Sequence, residues 1–385
     1  MNWQHWLKEI FGSRHKARRK SFVAAADSAW ATQTLPPPSE LQYTCLLVGD
    51  AGAVATDGSD AILQLISREL NATAQEKQAV IFLGDNVYPR GLPPEQHRLR
   101  AAAEQILDAQ IAVLQDFQGK IFCLSGNHDW NKGRPNGLEY VLRQEAYWHQ
   151  HLQRDDVFRP SLGQLGPEDV LLSEKLVLVI LNTQWWVQQG YRPVAEAYSS
   201  RTENKRDFFR HLNEILKRHQ DKRILVVGHH PLYSNALHAG RFTLKQHLFP
   251  LTALHKSLYL PLPVLGSLYP LYRKIVGARE DMAHLRYRLL RLGLLKIFNQ
   301  HKNIVYAAGH EHNLQYFNRY ENHYIVSGAA SKVAFVKKGG KASFTHAHKG
   351  IAQVLYYTDG QVWLQFLEPD ASGKNTEVVY RKRLN

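Results

Sequence analysis

The sequence predicts an α/β fold in which strands are covered by helices on both faces. Two observations carry this. Short, fully apolar runs of strand length recur at Cys45–Val48, Ala79–Leu83, Ile121–Leu124, Leu176–Leu181, Ile224–Val227 and Ile304–Ala308, and stretches with helical spacing separate them. Such runs lack the alternation of a half-exposed strand, so both of their faces are buried.

The elements follow in order. Residues 1–40 form a basic N-terminal extension and linker. Within it Trp3, Trp6, Leu7, Ile10 and Phe11 share one helix face, and Pro36-Pro37-Pro38 closes it. Ser59 or Asp60 can cap a helix whose apolar face is Ile62, Ile66 and Leu70. A second helix carries Leu99, Ala103, Ile106, Ala109 and Val113 on one side, and a third spans roughly Lys205–Arg218. The runs His323–Ser327, Gln353–Thr358 and Gln361–Leu367 are β-like, with a hairpin turn at Asp359-Gly360 between the last two. The main domain is expected over 41–370, interrupted by a basic, apolar insertion at about 241–302 and followed by a C-terminal tail at 371–385.

Composition narrows the class. Apolar residues make up 44% of the 385 and charged residues 21%, which permits a sizeable core and argues against disorder. The net charge of +14 favours anionic partners: phosphorylated molecules, acidic lipid or nucleic acid. The basic residues are dispersed rather than gathered on a groove-reading helix, so no specific nucleic acid is expected. Cys45 and Cys123 both sit inside apolar runs and are expected as buried free thiols. No signal peptide is visible. The uncharged run Ser257–Tyr272 is broken by three prolines and is too short to span a bilayer. The compartment is left open.

Five of the six apolar runs end in a glycine followed by polar residues: G-D-A-G at 49–52, G-D-N-V-Y at 84–88, G-N-H-D at 126–129, G-H-H-P at 228–231 and G-H-E-H at 309–312. Glycine there is expected to let the chain turn off the strand and aim the next side chain into the crevice where α/β sheets bind ligands. Taken singly, each G-D or G-H is a common turn; the shared order and strand context are what carry weight. Carboxylates, a carboxamide, a phenol and imidazoles, with no thiolate, suit Fe, Mn or Zn, and there are enough of them for two ions.

That order of motifs resembles the calcineurin-like metallophosphoesterases. Tyr88, the Tyr233-Ser234 pair after G-H-H-P, and G-H-E-H-N-L-Q-Y are similar to the purple acid phosphatase branch, its tartrate-resistant type above all. The resemblance runs from roughly Thr44 to Glu368, failing at the N-terminal extension and the insertion. It implies a four-layer α/β/β/α sandwich with a mixed β-sandwich core. It implies that Asp85 bridges two ions, that Asp50, Tyr88 and His312 complete one site, and that Asn127, His229 and His310 complete the other. A phenolate at Tyr88 favours Fe(III), paired with Fe(II), Zn or Mn. His128 and His238 are then the catalytic, non-ligand histidines. The implied reaction is hydrolysis of phosphate monoesters of small molecules by metal-activated hydroxide. The alternatives are a phosphodiesterase or pyrophosphatase acting on nucleotides or lipid headgroups, and a non-catalytic basic module binding membrane or nucleic acid.

Other residues receive plainer readings. His230 is expected as a pocket wall, Trp185 and Trp186 as packing, Arg90 as a surface arginine or a phosphate contact, and His346 and His348 as solvated loop residues. Asp129 is expected to orient a histidine or fix its own turn. From Leu251 to Lys302 nine Lys/Arg accompany two acids, Glu280 and Asp281, among interleaved apolar residues. Met282, Leu285, Leu289 and Leu292 share a helix face there. The segment is expected as a packed subdomain, a lid or a contact with an acidic membrane surface, and the helix at 1–20 as a further interfacial element.

Overall fold

The computed structural model describes residues 21–193, 205–253, 257–262 and 264–385; the helix expected at 1–20 lies outside them. Two mixed sheets pack face to face. The six-stranded sheet is ordered Thr376–Arg383, Val362–Pro369, Ile351–Tyr357, Leu41–Val48, Gln78–Phe82, Lys120–Cys123. The eight-stranded sheet is ordered Phe22–Val23, Phe344–His346, Leu314–Arg319, Asn322–Ser327, Val305–Ala308, Arg223–Val227, Leu176–Ile180, Glu168–Ser173. All six apolar runs are strands. Three are parallel neighbours in each sheet.

Alternation along each strand builds the layers. Cys45 and Leu47 point between the sheets with Ala79, Ile81, Leu178, Ile180, Leu225 and Val227. Leu46, Val48, Val80 and Phe82 point outward onto helices Ala61–Asn71 and Arg100–Ala112. On the other side Val177, Val179 and Val226 meet Phe208, Leu212 and Ile215 of helix Lys205–Arg218 and Leu290 and Leu294 of helix Leu285–Phe298. This is the expected four-layer α/β/β/α sandwich. Both cysteines are buried and free.

Local signals work where they are local. Asp60 caps the first helix, its Oδ1 accepting the N–H groups of Ile62 and Leu63. Gly360 turns the Asp359-Gly360 hairpin at φ 86°. The segment set apart in sequence as a C-terminal tail supplies the edge strand Thr376–Arg383, and Asp27 and Lys382 form an ion pair across that edge. Among its described residues the insertion contributes three α-helices, Leu244–Leu248, Leu268–Ile275 and Leu285–Phe298. The last buries Tyr287, Leu290, Leu294 and Phe298, whereas its Leu285, Leu289 and Leu292 are exposed. Among the described residues no helix is long and apolar enough to cross a membrane.

Candidate metal centre

The parallel strands of both sheets end at the same edge of the sandwich, and the five motifs meet there. Close approach is why glycine precedes them: a Cβ on Gly309 would lie 2.6 Å from Asp50 Oδ2, and Gly126 would drive one into Asp85. The expectation that these glycines make the turns holds only for Gly84, at φ 91°. At two of the other motifs the polar residue itself is left-handed, as it is again after Gly84. Asp50, Asp85 and His310 are left-handed, at φ 62°, 57° and 69°. Non-glycine residues hold that conformation only where the surroundings enforce it, which is common at functional sites.

The seven expected donors converge in two groups sharing Asp85. In one, Tyr88 Oη lies 2.9 Å from Asp50 Oδ1, 3.2 Å from Asp85 Oδ2 and 2.8 Å from His312 Nε2. In the other, Asn127 Oδ1 lies 3.0 Å from His229 Nε2 and 3.2 Å from His310 Nδ1, and those two nitrogens are 3.2 Å apart. Asp85 Oδ1 completes the second group, 3.5 Å from His229 Nε2.

The tautomers decide what these contacts mean. His229 Nδ1 lies 2.9 Å from the Leu83 carbonyl and His310 Nε2 3.0 Å from the Glu280 carbonyl. A carbonyl only accepts, so those nitrogens carry the hydrogens. In the neutral rings His229 Nε2 and His310 Nδ1 are then bare lone pairs, turned toward each other, the Asn127 carbonyl oxygen and a carboxylate. Lone pairs facing lone pairs in a buried site call for a cation. The donor set thus fits two metal ions. Burial and the charges of Asp50 and Asp85 push the Tyr88 phenol well above its usual range, so only a strongly Lewis-acidic ion would make it a phenolate.

The remaining expected residues fall into place around this core. His128 donates its backbone N–H to Asp85 Oδ1 at 2.8 Å; its Nδ1 donates to the Pro89 carbonyl at 2.6 Å, leaving Nε2 bare, 3.9 Å from Asp85 Oδ2. The His238 ring lies 4.3 Å from that of His310, tilted by 36°, and its Nδ1 meets Asp281 Oδ1 at 2.9 Å. His230 is a buried wall, with Nδ1 on Thr183 Oγ1 and Nε2 3.4 Å from Glu280 Oε2. Its ring also lies near enough to His229 and His310 to join a metal-binding group. Trp185 and Trp186 are buried packing, and Arg90 is exposed. Asp129 orients no histidine. Its carboxylate accepts the backbone N–H groups of Gly126, Asp85 and Asn86, pinning the left-handed turn at Asp85 as well as its own.

One reading is corrected. His346 is not a solvated loop residue: it is buried at the end of a strand, and its Nε2 lies 2.9 Å from Glu368 Oε2. His348, half-exposed, approaches the same oxygen at 2.9 Å. Two histidine nitrogens thus close on one oxygen of a buried carboxylate.

Sequence reasoning missed four side chains at the centre. Lys332 Nζ sits over the Tyr88 ring, 3.1 Å from its centroid. Glu280, Asp281 and Arg273 come from the insertion, Arg273 being paired with Asp281. A signal for two of them was present. Glu280 and Asp281 are the only acids in a strongly basic segment, and both turn inward to the histidines.

Comparison with known proteins agrees with this geometry. The family described as calcineurin-like phosphoesterase matches residues 43–314, so the chain belongs to that family, whose chemistry is metal-dependent phosphoester hydrolysis. Among solved structures, a purple acid phosphatase from yellow lupin seeds is similar at 13% identity and a TM-score of 0.53 over 90% of this chain and 55% of its own. This chain thus spans about half of the lupin enzyme. PhoD is similar at 12% identity and a TM-score of 0.51, over 91% and 72%. GAP50, the anchor in the inner membrane complex of Plasmodium, is similar at 18% identity and a TM-score of 0.48, over 90% and 89%. At these identities the likeness concerns the fold. No curated protein matches by sequence.

Proposed function

We propose that this protein is a dimetal phosphomonoesterase of acid phosphatase type. The observation that carries the reading is the convergence of metal-binding side-chain atoms on Asp85: His229 Nε2, His310 Nδ1 and Asn127 Oδ1 on one side, and Asp50 Oδ1, Tyr88 Oη and His312 Nε2 on the other. Asp50, Asp85, Tyr88 and His312 would hold Fe(III), and Asp85, Asn127, His229 and His310 a divalent Fe, Zn or Mn ion.

When bound, the ions supply an acidified water and positive charge toward the phosphoryl oxygens. The chain's own groups supply the rest. His128, its Nδ1–H held by the Pro89 carbonyl, would donate from Nε2 to a phosphoryl oxygen when that nitrogen is protonated as well. His238, its Nδ1 turned to Asp281, keeps Nε2 to hold a proton for the leaving oxygen. Lys332 adds a fixed cation beside Tyr88 that favours a dianionic monoester over a monoanionic diester.

The test is metal analysis of the purified protein together with turnover of p-nitrophenyl phosphate and of its bis-ester. About two ions per chain, with the monoester strongly preferred, support the proposal. Preference for the bis-ester would replace it with the diesterase reading. Failure to retain any metal would overturn the enzyme reading.

A further inference from the structure

We propose that the insertion at 241–302 docks on an anionic lipid bilayer, so that the substrate is a phosphate monoester carried by a membrane lipid. This rests on the phosphoesterase reading above.

The first observation is where apolar side chains are exposed. Among the described residues, 15 of the 22 large hydrophobic residues left exposed lie between Leu244 and Leu292. They include Val264, 84% exposed, and on helix Leu268–Ile275 the residues Leu268, Leu271, Tyr272 and Ile275, the last 65% exposed. Concentration of this kind in one segment marks an interaction surface rather than scattered surface residues.

The second is charge. The insertion has only two acids in its sequence, and both are spent inside. Asp281 is fully buried against Arg273 and His238, and Glu280 faces His230. The basic residues Arg241, Lys274, Arg288 and Lys296 are exposed. Apolar residues interleaved with an excess of exposed cations, with tyrosines among them, are what an anionic headgroup layer selects. A protein partner would favour polar rim residues of both signs, which this segment lacks.

The third ties the surface to the chemistry. Arg273 lies on the same helix as Leu271, Tyr272 and Ile275 and grips Asp281 at the metal centre. Glu280, next in sequence, gives its carbonyl to His310. The face presented to lipid and the turn that completes the site are thus parts of one short segment, and a headgroup phosphate at the bilayer surface would lie beside the ions.

The experiment is flotation of the full chain with phosphatidylcholine vesicles, with and without phosphatidylglycerol, alongside the double variant Leu271→Asp/Ile275→Asp. Both side chains are exposed, so the fold should persist, and p-nitrophenyl phosphate turnover with the thermal melt serves as control. We expect binding only to the anionic vesicles and a loss of more than about tenfold in the variant. Hydrolysis of phosphatidic acid in vesicles should fall in parallel while turnover of the soluble ester stays unchanged. A wild-type chain that ignores anionic vesicles overturns the proposal. So does a variant that binds them undiminished, or one whose only change is loss of a dimer on gel filtration. Absence of soluble-ester turnover in the wild type would instead strike the phosphoesterase reading, because flotation is read independently.

Discussion

His310 Nε2 lies 3.0 Å from the carbonyl oxygen of Glu280, so a residue of the insertion fixes the tautomer of a ligand on the central sheet. The turn that presents this carbonyl is held by Asp281, whose Oδ2 accepts the Ala278 N–H at 2.8 Å and whose carboxylate pairs with Arg273. Asp281→Ala should therefore weaken retention of the second ion by about 10- to 100-fold in chelator competition. Glu280→Gln keeps the carbonyl and should retain the metal. Equal losses in both variants would assign the effect to charge instead of geometry.

Tyr88→Phe removes the phenol that joins Asp50, Asp85 and His312. The purified wild type should carry a visible charge-transfer band, and the variant should lose it while keeping the second ion. A colourless wild type with two divalent ions would make Tyr88 a hydrogen-bond donor to its carboxylate neighbours.

Asp129 accepts the backbone N–H groups of Asp85 and Asn86 at the Asp85 turn and that of Gly126 at its own. Asp129→Ala orphans them in a buried site and should cost about 3 to 5 kcal/mol in denaturant unfolding. Metal content should fall with it, since the left-handed Asp85 loses its support.

Lys332→Met should raise KM for the monoester and weaken inhibition by phosphate by about tenfold, with kcat changing less. The geometry behind this is the ammonium held over the Tyr88 ring, beside the centre. An unchanged KM would leave Lys332 as packing on Tyr88.

Glu368 predicts an acid limit to stability. Burial alone would raise its carboxyl, but the hydrogen bonds from His346 and His348 hold it at about 2. The unfolded carboxyl titrates near ~4.3. Its folded pKa is depressed, so the stabilisation is fully present above that value and is lost as pH falls toward 2. The contribution at neutral pH is on the order of 2 kcal/mol. Glu368→Gln should lower stability at pH 7 and flatten its dependence on pH between about 5 and 2. An unchanged slope would show that other carboxylates set the acid limit.

The sequence by itself determined the layers and the donors. Six apolar runs had to be buried on both faces, and G-D, G-N-H-D and G-H-x-H at their ends had to meet where parallel strands end. Strand period and strand-end chemistry are local properties, and they are written locally. What tertiary structure decided was everything that depends on distant partners. The glycines proved to be sites of close approach, with the strain passed to Asp50, Asp85 and His310. His346, next to polar, glycine-rich sequence, became buried because Glu368 arrives from the other sheet. The inward turn of Glu280 and Asp281 follows from histidines roughly thirty to fifty positions away in the chain. No periodicity encodes such a contact; only the packing of the insertion against the sandwich creates it.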